Sequence, residues 1–129
     1  MLRLMLILPI VLSACPKDES VSGYADATAV YRLEEMNGAV FEARATVSFP
    51  EAGRVQGEGP CNRYSATQSV PYPWIKIESI RATKRACPEM AEEAVFLEGL
   101  TQMTLAEVSG PVLILSNDDG AEMVFRTQD

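Results

Sequence analysis

Residues 57–64 read Gly-Glu-Gly-Pro-Cys-Asn-Arg-Tyr, a stretch with two glycines, a proline, a cysteine and an asparagine in its first six residues. Its two glycines allow a positive φ or the close approach of a neighbouring strand, and Pro60 fixes φ and removes a backbone donor. The stretch therefore predicts an irregular loop. A second cysteine, Cys87, follows in Ala-Thr-Lys-Arg-Ala-Cys-Pro, residues 82–88, directly before the one segment with a helical pattern.

The three cysteines divide into a single residue and a pair. Cys15 lies at the end of an apolar leader, which leaves Cys61 and Cys87. In an exported, oxidising compartment an even pair predicts a disulfide, and this bond would pin the irregular loop to the segment before the helix. Closing a loop of about 26 residues contributes roughly 3.5 kcal/mol in the chain-entropy model. The alternative is two separate buried thiols.

The first residues have the organisation of a secretory signal peptide. Arg3 precedes an apolar run over residues 4–12, and small residues follow it. The run is too short to cross a bilayer, which takes about 20 residues. The tetrad Leu-Ser-Ala-Cys at 12–15 resembles a bacterial lipobox, which implies cleavage after residue 14 and acylation of Cys15. The alternative is an ordinary secretory leader that contains a cysteine.

Residues 15–28 are small and polar, and we interpret them as a lipid-anchored flexible tether with a reach of roughly 20 Å. The net charge is −7, and removing the leader with Arg3 leaves −8. This charge disfavours nucleic acid and anionic lipid headgroups as partners, because both attract a positive surface. We expect a protein of the bacterial cell envelope that faces the periplasm. Pro16 does not decide between the inner and the outer membrane.

The domain over residues 29–129 contains short segments with strand patterns. The clearest is 41–49, where Phe41, Ala43, Ala45, Val47 and Phe49 alternate with polar residues. Asn37-Gly38 before it predicts a hairpin turn. Further strands are predicted over 30–36, 54–57, 64–68, 74–80, 105–109, 112–115 and 121–126. The fold class is mainly β (α+β), an antiparallel sheet curled into an open barrel-like form with one α-helix.

One helix is predicted to begin at Pro88 and to end within residues 101–104. Proline suits the first helical position, and acidic residues in the first turn suit the positive end of the helix dipole. The predicted inward stripe consists of Ala91, Ala94, Val95, Leu97, Leu100 and Met103.

Together these residues resemble the META domain, the fold of the heat-shock protein HslJ family. A glycine-rich loop into Cys-Asn-x-Tyr matches residues 57–64, and Thr-x-x-Ala-Cys-Pro matches 83–88. A helix with Phe96-Leu97 and a closing hairpin over 112–125 follow. Pro60 replaces the glycine that is common in the family before the first cysteine, and Tyr31 stands where tryptophan is common. The resemblance implies a β-rich envelope domain linked to stress responses and antibiotic tolerance, without an established reaction.

Several catalytic classes are excluded because the chain has no histidine. The Ser-His-Asp and Cys-His systems and the commonest zinc ligand are therefore absent. We expect no enzyme activity, no cofactor and no metal site. Asp118-Asp119 with Glu122 has acidic character, but its spacing is not that of an EF-hand, and a hairpin turn explains it.

The candidate polar site is Asn62 with Arg63, and the plainer interpretation of Asn62 is a contact to loop backbone. The basic residues Lys76, Arg81, Lys84 and Arg85 form either a solvated strand face or an anion site.

We expect a non-enzymatic, lipid-anchored envelope protein that acts through binding or structural support. One alternative is a carrier of a small apolar ligand or peptide, with a cavity lined by Phe41, Phe49, Trp74 and Phe96. Another is an inhibitor of an envelope-directed hydrolase that presents the loop around Asn62.

Overall fold

The computed structural model of the protein describes residues 17–128, together with the single residue Ile7. The described chain contains one α-helix, α1 (Met90–Gln102), and a short 3-10 helix at Val21–Gly23. Its nine strands are β1 (Tyr31–Met36), β2 (Ala39–Val40), β3 (Thr46–Glu51), β4 (Arg54–Glu58), β5 (Arg63–Thr67), β6 (Glu78–Ala82), β7 (Leu105–Ser109), β8 (Val112–Ser116) and β9 (Glu122–Thr127).

The strands form one antiparallel sheet in the order β6-β5-β4-β3-β1-β9-β8-β7, and β2 pairs with the end of β1. The sheet curls so that its two ends approach each other. The chain before β6 reaches across, since Ile75 donates its backbone N–H to Thr104 and Ala106 donates to Pro73. A mainly β, curled half-barrel with a single helix confirms the predicted fold class.

The core fills the concave side of this sheet. Every second side chain along a strand points into the core. Examples are Met123 and Phe125 in β9 and Leu113 and Leu115 in β8. The largest of the fully buried side chains are Tyr31, Phe49, Phe96, Phe125, Leu33, Ile77 and Leu100.

Helix α1 covers one part of the core with a face that differs from the predicted stripe. Its buried residues are Glu93, Phe96, Gly99 and Leu100, whereas Ala91, Ala94 and Val95 are exposed. The prediction is confirmed at Leu100 and Met103, which are buried, and is wrong over the first turns of the helix. There the inward positions are those of Glu93 and Phe96, because the hydrogen bonds of Glu93 to the loop hold this face against the domain.

Two predicted strands are interrupted. The chain after the Asn37-Gly38 turn pairs only over β2, and residues 41–45 bulge before β3 resumes pairing with β1. Phe41 turns inward within this bulge and packs against Phe96. The predicted strand 74–80 divides into a single bridge from Trp74 to Leu105 and the later strand β6. The two parts have different partners, since Trp74 bridges to β7 at one end of the sheet whereas β6 is the strand at the other end.

The N-terminal segment is packed on the domain. Val21 is 0% exposed and belongs to the core, and Tyr72 donates its backbone N–H to the Glu19 carbonyl. The Ser20 and Ser22 hydroxyls donate to the Asp18 carboxylate, which holds its pKa below the usual value. The flexible-tether prediction is therefore corrected from Asp18 onward, because composition did not reveal that Val21 has a core position.

The predicted signal peptide over 1–14 and the predicted acylation site Cys15 lie outside the described residues. Within 17–128, no helix has the length and apolar character needed to cross a membrane.

Candidate functional site

Asn62 joins three parts of the chain at the start of β5. Its side-chain nitrogen donates to the Arg85 carbonyl (3.0 Å) and to Glu93 Oε2 (2.7 Å). Its side-chain oxygen accepts from Thr83 Oγ1 (2.9 Å) and from the Arg85 backbone N–H (2.6 Å). Two donor hydrogens and two acceptor lone pairs are all an asparagine amide offers. The amide is therefore fully occupied by internal partners, which favours the plainer interpretation of Asn62 as a contact to loop backbone over a binding role.

Glu93 is the acceptor that fixes the loop from the helix side. Its Oε1 atom accepts from the backbone N–H groups of Cys61 (3.1 Å) and Asn62 (2.7 Å). The residue is 4% exposed. A Cβ added to Gly59 would lie 2.6 Å from the same oxygen, so the loop approaches this closely only with glycine there. The carboxylate thus takes the place of backbone partners that the irregular loop lacks.

A disulfide joins Cys61 to Cys87, with their Cα atoms 5.6 Å apart. It ties the loop to the segment that precedes α1, beside the contacts of Asn62 and Glu93. Glu89 Oε2 lies 3.2 Å from the Cys87 sulfur. Because the two sulfurs bond to each other, they are not available as thiolate ligands or nucleophiles in this state.

A cleft with three arginines lies beside this braced loop. Arg44, Arg63 and Arg85 all line a volume of about 350 Å³, together with Glu58 and Thr83. An adjoining cleft of about 370 Å³ shares Arg44, Glu58 and Arg63 and extends toward Gln128 and Val30. We call the two volumes together the arginine cleft. Arg63, the second predicted binding residue, is exposed and lines both of its parts.

The charges of the arginine cleft are only partly compensated. Arg44 Nε lies 3.4 Å from Glu58 Oε2, and its Nη1 donates to Gln128 Oε1 at 2.5 Å. Within residues 17–128, Arg63 and Arg85 have no carboxylate within ion-pair distance, and their guanidinium groups make no hydrogen bond. Two exposed cations are therefore available to an anion in a chain whose net charge is −7.

The floor of the arginine cleft is joined by hydrogen bonds between strands. The Tyr64 hydroxyl donates to the Thr46 carbonyl at 2.6 Å, and burial raises the pKa of this phenol. Thr46 Oγ1 in turn accepts from the Glu58 backbone N–H at 3.0 Å. Because Tyr64 stays protonated and bonded, it holds β3, β4 and β5 together beneath the arginines and takes no part in acid–base chemistry.

Of the four basic residues predicted as a possible anion site, only Arg85 lines this cleft. Lys76 forms an ion pair with Glu78 at 3.0 Å, so the four residues do not act as one group. Asn117 accepts from the backbone N–H groups of Asp119 and Ala121, as expected for a hairpin turn. Sequence reasoning missed Arg44 because it lies in the bulge, and missed Glu93 because it favoured an apolar helix face.

The four aromatic residues proposed for a ligand cavity do not share one, and Phe41 alone lines a surface depression, beside Glu89 and Glu92. Phe49 and Phe96 are each 0% exposed within the packed core, and Phe41 and Tyr64 both pack against Phe96. Trp74 is 56% exposed on the surface.

Comparisons with known proteins agree with this architecture. The family model of the META domain matches residues 26–129. A solution NMR structure of a protein from Burkholderia xenovorans is 19% identical, with a TM-score of 0.62 over 78% of this chain and 81% of that one. A crystal structure of a DUF4847 family protein from Bacteroides vulgatus is 14% identical, with a TM-score of 0.60 over 80% of this chain and 96% of that one. These similarities concern the fold. No curated protein sequence matches the chain significantly.

Proposed function

The chain belongs to the META domain family, and from that premise we propose that it is a non-enzymatic binding module of the bacterial cell envelope, held to a membrane by acylated Cys15. Its ligand is anionic, a carboxylate-bearing molecule or an acidic segment of an envelope protein. It binds in the arginine cleft. Through this binding the protein contributes to stress or antibiotic tolerance, as the family resemblance implies.

The observation that carries this proposal is the pair of uncompensated guanidinium groups at Arg63 and Arg85. Arginine presents a planar fork of donors that matches a carboxylate. Both residues flank a segment braced by the disulfide, by Asn62 and by Glu93, so their backbones are held in place before a ligand arrives. Preorganisation of this kind lowers the entropy lost on binding.

The chemistry of the surrounding groups supports binding rather than catalysis. Cys61 and Cys87 are bonded to each other, and Glu93 is occupied by three N–H donors. The chain has no histidine to act as a base near neutral pH. The arginine cleft therefore offers charge and shape, without an activated nucleophile.

The two alternatives receive less support. A carrier of apolar ligands needs an accessible apolar cavity, whereas Phe49 and Phe96 are packed in the core. An inhibitor that presents the loop around Asn62 would have to make its contacts through neighbouring residues, because the Asn62 side chain is 4% exposed and its hydrogen bonds are internal.

Calorimetric titration of the mature domain with a short oligoglutamate peptide tests the binding site. We expect binding that weakens about tenfold in Arg63→Gln and in Arg85→Gln, since a charge-assisted hydrogen bond contributes about 1.5 kcal/mol. Arg32→Gln, which changes an exposed arginine of β1 outside the cleft, is the matched control. Equal affinity in all three variants would refute the cleft as the site.

Metabolic labelling with a palmitate analogue tests the anchor. We expect label on the full-length protein and none on Cys15→Ala. Label that persists on Cys15→Ala would refute acylation at this residue. Complementation of a deletion strain under envelope stress, with the wild type and with the Arg63→Gln, Arg85→Gln double variant, then connects the cleft to tolerance.

A further inference from the structure

The end of the domain from which the N-terminal segment leaves carries an exposed aromatic surface. Tyr24 is 47% exposed and stacks on Tyr72, with ring centroids 4.3 Å apart. Lys17 Nζ lies 5.8 Å from the centre of the Tyr24 ring. Trp74 lies in the same turn as Tyr72, because its backbone N–H donates to the Pro71 carbonyl at 2.9 Å. We call Lys17, Tyr24, Pro71, Tyr72 and Trp74 the aromatic patch.

We propose that the aromatic patch rests on the lipid bilayer at the level of the headgroups and fixes the orientation of the domain on the membrane. This inference depends on the proposed anchor at Cys15. It adds a second contact, made by side chains of the folded domain, to the covalent one.

The length of chain between the anchor and the patch supports a bilayer as the occupant. Only Pro16 separates Cys15 from Lys17. From Asp18 onward the segment is held by its serine contacts, by the bond from Tyr72 to Glu19 and by the buried side chain of Val21. A chain extends at most about 3.6 Å per residue, so Asp18 stays within about 11 Å of the acylated residue. The patch cannot move far from the surface that holds the acyl chains.

The chemistry of the patch suits the same occupant. Tyrosine and tryptophan are enriched at membrane interfaces, because each has an apolar ring and a polar group that stays hydrated. Lysine extends its charged end to the headgroups from an apolar stem.

The arginine cleft lies at the other end of the strands. Strand β5 begins in the cleft with Arg63 and ends at Thr67. The residues just after Thr67, Gln68 and Val70, line a separate depression together with Lys17 of the aromatic patch. In β4, Glu58 lies at the cleft and Arg54 at the opposite end. With the aromatic patch on the membrane, the arginine cleft therefore faces away from the bilayer.

Fluorescence of Trp74, the single tryptophan of the chain, tests the contact. The full-length acylated protein is reconstituted in phosphatidylcholine vesicles whose acyl chains carry bromine near the headgroup. We expect Trp74 emission to shift to shorter wavelength on reconstitution and to lose intensity with brominated lipid. The control is Trp74→Phe with Ala86→Trp, which places the only tryptophan beside the arginine cleft, and its emission should keep its intensity.

A second variant tests orientation without changing the patch. A flexible Gly/Ser insertion of about 12 residues between Pro16 and Lys17 adds roughly 20 Å of reach. We expect Trp74 quenching to fall in this variant while membrane retention stays unchanged. If Trp74 and the Ala86→Trp control are quenched equally, or if Trp74 is not quenched at all, the aromatic patch is not a membrane contact.

Mass measurement of the N-terminal peptide separates this outcome from failure of the anchor. Acylated Cys15 without Trp74 quenching overturns the patch and leaves the anchor intact. An unmodified Cys15 overturns both.

Discussion

At the scale of single residues, the protein uses a buried carboxylate to organise a loop that has no regular structure. Glu93 accepts from two consecutive backbone N–H groups and from the Asn62 amide. Hydrogen bonds to a charged group are stronger than neutral ones, and three of them offset the cost of burying the charge. The loop, the helix and the start of β5 therefore depend on one side chain.

Glu93→Gln should lower the free energy of unfolding by about 3 kcal/mol. The variant loses the charge, and an amide cannot accept from all three donors without turning its own N–H₂ toward one of them. Urea denaturation at neutral pH measures the loss. Glu92→Gln, at the exposed neighbouring position, should change stability by less than about 0.5 kcal/mol. Equal effects of the two substitutions would contradict the role given to Glu93.

At the scale of elements, Gly57 allows β3 and β4 to pack closely beneath the arginine cleft. A Cβ there would lie 2.1 Å from the Thr46 carbonyl oxygen and 2.8 Å from the Tyr64 hydroxyl. Gly57→Ala should therefore destabilise the domain by about 2–3 kcal/mol, because the obstruction is backbone that cannot move aside. Thermal unfolding measures the effect, with Gln56→Ala as control. A Gly57→Ala protein as stable as that control would rule out the close approach.

The elements also show how far sequence reasoning reaches. Alternation predicted β9, and the turn residues at 117–120 predicted the closing hairpin that β9 forms with β8. It failed where the chain changes partners. Trp74 bridges to β7 while β6 pairs with β5, and no local pattern encodes which end of a curled sheet a segment meets.

The residues of the candidate site also fall into two groups, those that the sequence indicates and those that only the structure shows. The sequence indicates part of the site by residue type, namely the glycines, Cys61, Asn62 and Cys87. Arg63 could be predicted because it is next to Asn62. Arg44 and Glu93 become visible only in three dimensions, because their importance comes from distant residues brought near them.

At the scale of the whole molecule, the segment before β1 contributes a side chain to the core. Val21 is 0% exposed, whereas Val40 is 74% exposed. Val21→Ala should therefore cost about 1–2 kcal/mol of stability and Val40→Ala nearly nothing, since only the first leaves a cavity. Chemical denaturation of the two variants compares a core position with a surface one. If Val21→Ala leaves the free energy of unfolding unchanged, the interpretation of this segment as a flexible tether is restored.

The disulfide should contribute to the stability of the whole domain. It closes a loop with a sequence separation of 26, for which the chain-entropy model gives about 3.5 kcal/mol. The double variant Cys61→Ala, Cys87→Ala should unfold at a correspondingly lower urea concentration, and reduction of the native protein should produce the same shift. An unchanged midpoint after verified reduction would show that the loop is held by Asn62 and Glu93 alone.

The segment that crosses between the two ends of the sheet also limits self-association. A bare, flat strand invites another chain to add to it, and this is how many β proteins polymerise. Here residues 73–75 already occupy part of the outer side of β7. The outer side of β6 is irregular, with Ser79 at φ 54° and Arg81 exposed. Both borders are therefore poor templates for an incoming strand, and we expect little edge-to-edge association of the domain.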